Sequence, residues 1–335
     1  MSINLCTEAN ELAHSVLFSI ILITEIIVSI IAIALEIWII FKTTIHILVH
    51  QNTRILIIVH QLWLIFHCIS RIFAHIYVLM TYRKNYVDPC EYMTFPWECF
   101  MMRTPITLTL LLNAASIAAI VIERAIATYF SSRYEKFGKS VAVTLVIAQL
   151  AIAIGSFLFV VSNFKLFDSE KVVYCSSANE RNALKSAIVF GFYMTIDFIS
   201  ALTFPILFFI NKRSHRNKIH ANLSHRYQIM ENIHSLQTLS PMVAFHSLFL
   251  AFYLGALFMY FAVDFNFSHK QFAIYLEGVQ QTPIYALTLP IALVWTEKYV
   301  RKTIQENRQK AMELRGNEAA NHYFTIFEAP GGMNI

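Results

Sequence analysis

The sequence predicts an all-α integral membrane protein: seven transmembrane helices in one bundle, N-terminus outside, C-terminus inside, with a short amphipathic helix after the last span. Three observations predict it. Of 335 residues, 57% are hydrophobic and only 14% charged, with a mean hydropathy of +0.54; soluble proteins carry about 25% charged residues. Apolar runs near the ~20 residues that cross a bilayer recur at about 16–41, 55–80, 104–127, 141–162, 184–210, 242–262 and 272–296. Lys and Arg are concentrated in alternate connections. One set holds Lys42, Arg54, Arg124, Arg133, Lys136, Lys139, a cluster from Lys212 to Arg226, and the tail from Lys298. The other holds Arg83, Lys84, Arg103, Lys165, Lys171, Arg181 and Lys270, offset by acids such as Asp88, Glu91, Glu98 and Asp168. Positive charge stays inside, so the first set is cytoplasmic. The net charge of +5 is therefore a topology signal, not a nucleic-acid footprint.

In order, residues 1–15 carry Glu8 and Glu11 and no Lys or Arg, which excludes the basic start of a cleavable signal. They form an extracellular N-terminus. Residues 16–298 are the bundle and 299–335 a cytoplasmic tail, whose start at Tyr299 is amphipathic enough to lie along the membrane. Charges inside spans cost about 2.5–3.5 kcal/mol each, so each needs a partner. Glu25 in span one and Arg71 in span two lie at equal depth and are expected to form an ion pair. By the same count Glu36 lies level with His60. His60, His67, Arg71 and His75 share one face of span two, read as a polar stripe towards the interior. No cluster calls for a metal or other cofactor, and no catalytic set is present.

Span three is the axis. It opens at Cys99 and closes at Glu123-Arg124, 25 residues on, or roughly 37 Å of helix. Cys6, Cys90, Cys99 and Cys175 fall on the oxidising side, whereas Cys68 is a packed thiol within span two. Four cysteines allow three pairings; Cys99–Cys175 with Cys6–Cys90 is the expected one, and the alternatives are local pairing of Cys90 with Cys99, or of Cys6 with either. Asn266-Phe-Ser is a glycosylation sequon in the outer loop after span six.

The offset from Cys99 to Arg124 resembles that between the disulfide cysteine and the arginine of the [DE]-R-Y motif in rhodopsin-like G-protein-coupled receptors, with Ala125 in place of the tyrosine. The loop Asp88-Pro-Cys-Glu-Tyr…Pro96-Trp-Glu-Cys, the run Glu123-Arg-Ala-Ile-Ala-Thr, Tyr134-Glu135 and Leu223-Ser-His-Arg-Tyr-Gln-Ile-Met-Glu-Asn232 are similar to the nematode serpentine chemoreceptors of class alpha/beta. The chain departs from the broader receptor pattern: span two lacks the usual aspartate, and Thr288-Leu-Pro290 replaces the span-seven Asn-Pro motif.

The resemblance implies a G-protein-coupled chemosensory receptor in the plasma membrane of a sensory cell, with no enzymatic activity. It would bind a small molecule or peptide among spans three, five, six and seven. There Asp197, Glu277, Gln280 and Gln281 would offer polar contacts. Tyr193, Tyr253, Phe190, Phe192, Phe252, Phe258 and Tyr260 would supply an aromatic wall. Glu123–Arg124 would act as the inner latch. Arg226 and Glu231, on a helix leading from about Ala221 into span six, would help contact a heterotrimeric G protein, and the basic inner face would also meet anionic lipid. The competing reading is a ligand-gated channel or transporter, whose polar path would have to follow the span-two stripe.

Overall fold

The fold is that of a computed structural model describing residues 2–47, 49–131, 133–162, 171–176, 182–217, 223–263 and 267–313. Asn266 and the tail beyond 313 lie outside the described residues. Among the described residues there are nine α-helices: α1 (Ser2–Ala13), α2 (Val16–Lys42), α3 (Gln51–Tyr82), α4 (Pro96–Tyr129), α5 (Ser140–Val161), α6 (Ala183–Asn217), α7 (Leu223–Ala262), α8 (His269–Gly278) and α9 (Thr282–Glu313). Six of them, α2 to α7, are long and apolar enough to cross a membrane.

The helices close into a ring, α2 against α3 and α9, α6 against α7, and α7 against α9, with α4 touching α3, α5, α6 and α7. In its most apolar stretch α4 is 72% buried, against 28% for α2 and 22% for α5. The helix from Pro96 to Tyr129 is thus the axis, and α2 and α5 turn large apolar side chains such as Ile20, Ile27, Ile147 and Ile154 outwards. That surface suits hydrocarbon, not water.

Local sequence sets the ends. Ser15 caps α2 by accepting from the Phe18 amide, and Ser268 and Gln271 form a reciprocal capping box on α8. Pro96 starts α4, where its missing amide hydrogen is harmless. The seventh apolar run is divided. Gly278 ends α8, and Pro283 sits in the first turn of α9, so residues 279–281 stay outside either helix. The expectation of one unbroken span over 272–296 is corrected accordingly. The separate amphipathic helix after it is corrected too. No Gly or Pro interrupts the chain between Pro290 and Gly316, an Arg301–Glu297 ion pair supports the turn, and α9 simply continues to Glu313.

The N-terminal segment also gains structure. The i, i+3 and i+4 spacing of Leu5, Ala9, Leu12 and Ala13 makes α1 amphipathic, and Ala9 and Leu12 are fully buried in a cluster with Phe18, Leu22, Val78 and Tyr92. Two disulfides fasten this end: Cys6–Cys90, with Cα atoms 4.5 Å apart, and Cys99–Cys175, with Cα atoms 4.9 Å apart. The strap 171–176 is further held by a two-residue bridge between Thr94 and Val172. Non-reducing peptide mapping should recover Cys6 linked to Cys90 and Cys99 linked to Cys175, with Cys68 alkylated only after denaturation. Cys99→Ser should lower stability by roughly 2–5 kcal/mol, read as a thermal midpoint and as surface expression.

Candidate functional site

The polar groups inside the bundle lie at three levels. At the disulfide end the centre is Glu277, fully buried near the end of α8. Its Oε2 accepts from Arg71 Nη2 at 2.8 Å and His75 Nε2 at 3.2 Å; its Oε1 accepts from Arg103 Nη2 at 2.7 Å and the Tyr174 hydroxyl at 2.5 Å. Arg103 also donates to the Tyr174 oxygen and stacks over its ring, 5.0 Å from the centroid. Arg71 donates in addition to Gln280 Oε1 and lies 3.3 Å from Glu25 Oε2. Two guanidinium groups thus face two carboxylates, a neutral set, with the donors drawn from α3, α4 and the strap. Burial pushes the Tyr174 phenol above its ordinary range, so it stays a donor.

At mid-height, Ser116 donates to the Asn113 carbonyl at 2.6 Å. Its oxygen is left to accept from His60 Nδ1 at 2.5 Å, and His60 Nε2 then accepts from the Tyr285 hydroxyl at 2.8 Å. His246 stands edge-on to both rings and holds Asp197 through Nδ1 at 3.1 Å. A small cavity of about 20 Å³ opens here among α4, α7 and α9.

At the opposite end, Arg124 grips its own neighbour Glu123 through two parallel bonds, Nε at 2.6 Å and Nη2 at 2.5 Å. Such bidentate, charge-assisted pairs are strong, and this one is essentially unexposed. Thr53 of α3 and the hydroxyl of Tyr134, from the turn after α4, donate to the same carboxylate. Asn52 Nδ2 donates to Tyr134 at 3.1 Å. Burial, and then the neighbouring Glu123 charge, raises the Tyr134 phenol above its usual range, keeping its proton on. From α7, Asn232 accepts from Arg124 Nη1 at 3.4 Å and donates to the Ala127 carbonyl at 3.0 Å.

Several expectations read from sequence are redistributed. Arg103, assigned to an outer loop, is inside α4 and faces Glu277, because the helix starts at Pro96, two turns before the apolar run. Glu25 does meet Arg71, but Glu277 lies closer to it. Glu36 accepts from Nε2 of Gln61, the neighbour of His60, at 3.0 Å. Asp197 and the pair Glu277–Gln280 belong to different levels. Gln281 bonds the Gly278 carbonyl within its own turn. Tyr193, Tyr253 and Phe190 face inwards, whereas Phe192, Phe252 and Phe258 are 46%, 56% and 46% exposed on the outer surface; neighbours in a helix point about a quarter-turn apart. Arg226 and Glu231 are half-buried on α7, the latter beside a small pocket lined by Tyr134 and Gln228. Sequence reasoning misses His246 and Tyr285; His246 is the only histidine of the 242–262 stretch and Tyr285 lies near the middle of 272–296, which are the signals that could have found them.

The chain matches the family described as "Serpentine type 7TM GPCR receptor class ab chemoreceptor" over residues 4–330. It is 28% identical to "Serpentine receptor class alpha/beta-14" of Caenorhabditis elegans over 224 residues, 64% of this chain and 57% of that protein. It is 21% identical to "Serpentine receptor class alpha-39" of the same organism over 169 residues, 50% of this chain and 44% of that protein. The matched stretches thus span about half the length of these relatives.

Removing one partner of a buried charge set typically costs about 3–5 kcal/mol. Glu277→Ala should therefore destabilise the bundle by that order, measured as a thermal midpoint in detergent, more than Glu25→Ala does. Exchanging the first pair, Glu25→Arg with Arg71→Glu, should fail to restore surface expression, because a carboxylate at position 71 would face that of Glu277.

Proposed function

The chain belongs to the serpentine class ab chemoreceptors, and from that premise we propose that it is a G-protein-coupled chemosensory receptor of the plasma membrane. The disulfide end faces outwards and the Arg124 end faces the cytosol, a reading supported by the distribution of Lys and Arg. A small molecule enters from the disulfide end and biases the bundle between two states. The Arg124 end, ringed by exposed Arg133, Lys136, Lys139, Arg213 and Arg216, meets a heterotrimeric G protein and the anionic inner leaflet.

The observation that carries this reading is the buried Glu123–Arg124 pair beneath Asn232. Groups from α3, the turn after α4, and α7 hold it in place. Arg124 can reach a cytosolic partner only when α7 withdraws Asn232 and the fork on Glu123 opens. The pair suits a latch: strong when closed, costly to half-open, and covered by one helix. The polar stripe on α3 supports no channel, since His60, His67, Arg71 and His75 are each tied to side chains of other helices.

Arg124→Ala alone leaves the buried Glu123 carboxylate without its counter-charge, so it is combined with Glu123→Gln; the double variant should keep surface expression near wild type yet abolish ligand-driven nucleotide exchange on a co-expressed G protein. Full signalling by that variant would refute the latch. Tyr134→Phe removes one holder of the closed state and should raise basal exchange several-fold, measured without ligand at matched receptor density.

A further inference from the structure

The receptor reading leaves the chemistry of the ligand open, and the mid-bundle cavity narrows it. Asn113 of α4 is 3% exposed. Its side-chain oxygen and nitrogen are both buried without a hydrogen-bond partner, and no other carboxamide among the described residues has both atoms in that state. The same side chain lines the cavity, together with Leu110, His246, Tyr253, Thr282 and Tyr285. A buried amide with neither atom satisfied destabilises its own fold, and an amide presents a donor and an acceptor side by side. The space of about 20 Å³ admits one water-sized group, the size of a carbonyl or hydroxyl head.

The charge around this seat is already settled. Of the lining residues only His246 has a basic side chain, and its Nδ1 is already bonded to Asp197. The remaining lining groups are hydroxyls, the amide and hydrocarbon. An ionised ligand head would lose its hydration here against no free counter-charge, which is far costlier than burying a neutral polar group. At the disulfide end Arg71 and Arg103 are likewise occupied by Glu277 and Glu25. Resting on the receptor reading above, we infer that the ligand carries an uncharged hydrogen-bonding head, a ketone, alcohol or amide, and that Asn113 is the side chain that receives it. The cavity as it stands holds the head alone; the apolar body enters as Leu250 and Tyr253 of α7 move apart from Leu110 of α4.

The test uses the full chain in lipid nanodiscs with four probes of matched length: methyl hexyl ketone, octanol, octanoate and octylamine. Each is measured for its shift of the thermal midpoint and for its dissociation constant, with the wild type and with Asn113→Leu, which keeps the volume and removes the unsatisfied amide. The unliganded variant should melt no lower than the wild type, which separates loss of binding from loss of fold. The ketone or the alcohol should stabilise the wild type and bind Asn113→Leu at least tenfold more weakly. Octanoate and octylamine should bind at least tenfold more weakly than their neutral congeners. Equal binding of the neutral probes to Asn113→Leu, tighter binding of a charged probe, or no shift with either neutral probe would overturn the inference. A charged probe that evokes nucleotide exchange would sink the neutral head while leaving the receptor reading intact. Neutral binding that evokes no exchange at saturating probe would do the reverse.

Discussion

Glu277 holds the disulfide end of this molecule together. Four donors from three separate parts of the chain converge on its two oxygens: two from α3, one from α4 and one from the strap after α5. A carboxylate without exposure must be met by opposite charge and hydrogen bonds, or the helix carrying it cannot stay inside. Meeting that demand fixes α8 against α3 and α4, and with it the break at 279–281 and the path of α9. The Cys99–Cys175 link brings Tyr174 to the same point, so covalent and electrostatic ties coincide. The same demand recurs at the far end on a smaller scale, where Glu123 is met by Arg124, Thr53 and Tyr134.

The two ends differ in how they could move. The Glu277 set is tied down by a disulfide and by several helices. The Glu123–Arg124 set depends on α7 for its cover through Asn232. That same helix lines the mid-height cavity through His246 and Tyr253, the former 14 residues along the helix, or roughly 21 Å. Between these two points α7 carries Pro241, where a helix can bend, so under the proposed function a swing of α7 would act on both the cavity and the cover of Arg124. Under the proposed function such coupling would be reciprocal: whatever opens the Glu123–Arg124 pair would also reshape the cavity.

Much of this is legible in the sequence, for identifiable physical reasons. Runs of apolar residues of bilayer length announce spans because no other solvent tolerates them, and the axis from Cys99 to Arg124 stands out by its length alone. Depth counting brings Glu25 to the level of Arg71 because both count from predictable membrane boundaries. It places Arg103 wrongly, since α4 begins well before its apolar run, in a stretch whose composition reads as loop. The division between α8 and α9 is signalled by Gly278 and Pro283 on either side of Gln280-Gln281. The partnership of Asp197 with His246 has no local signal, because helix rotation decides which of several polar groups meet. Fine rotation likewise decides that Phe192 and Phe252 face outwards while Tyr193 and Tyr253 face in.

The central claim is that α7 covers Arg124 in the resting bundle and leaves it when a G protein engages. Spin labels at Tyr129→Cys on α4 and Tyr227→Cys on α7, positions 72% and 67% exposed, would report that separation in a Cys68→Ser background with both disulfides intact. Addition of a nucleotide-free heterotrimeric G protein should shift the distance distribution outwards by several ångströms, a gap on the order of a helix diameter at most. A distribution unchanged by any G protein, in a sample shown to be folded, would contradict the account.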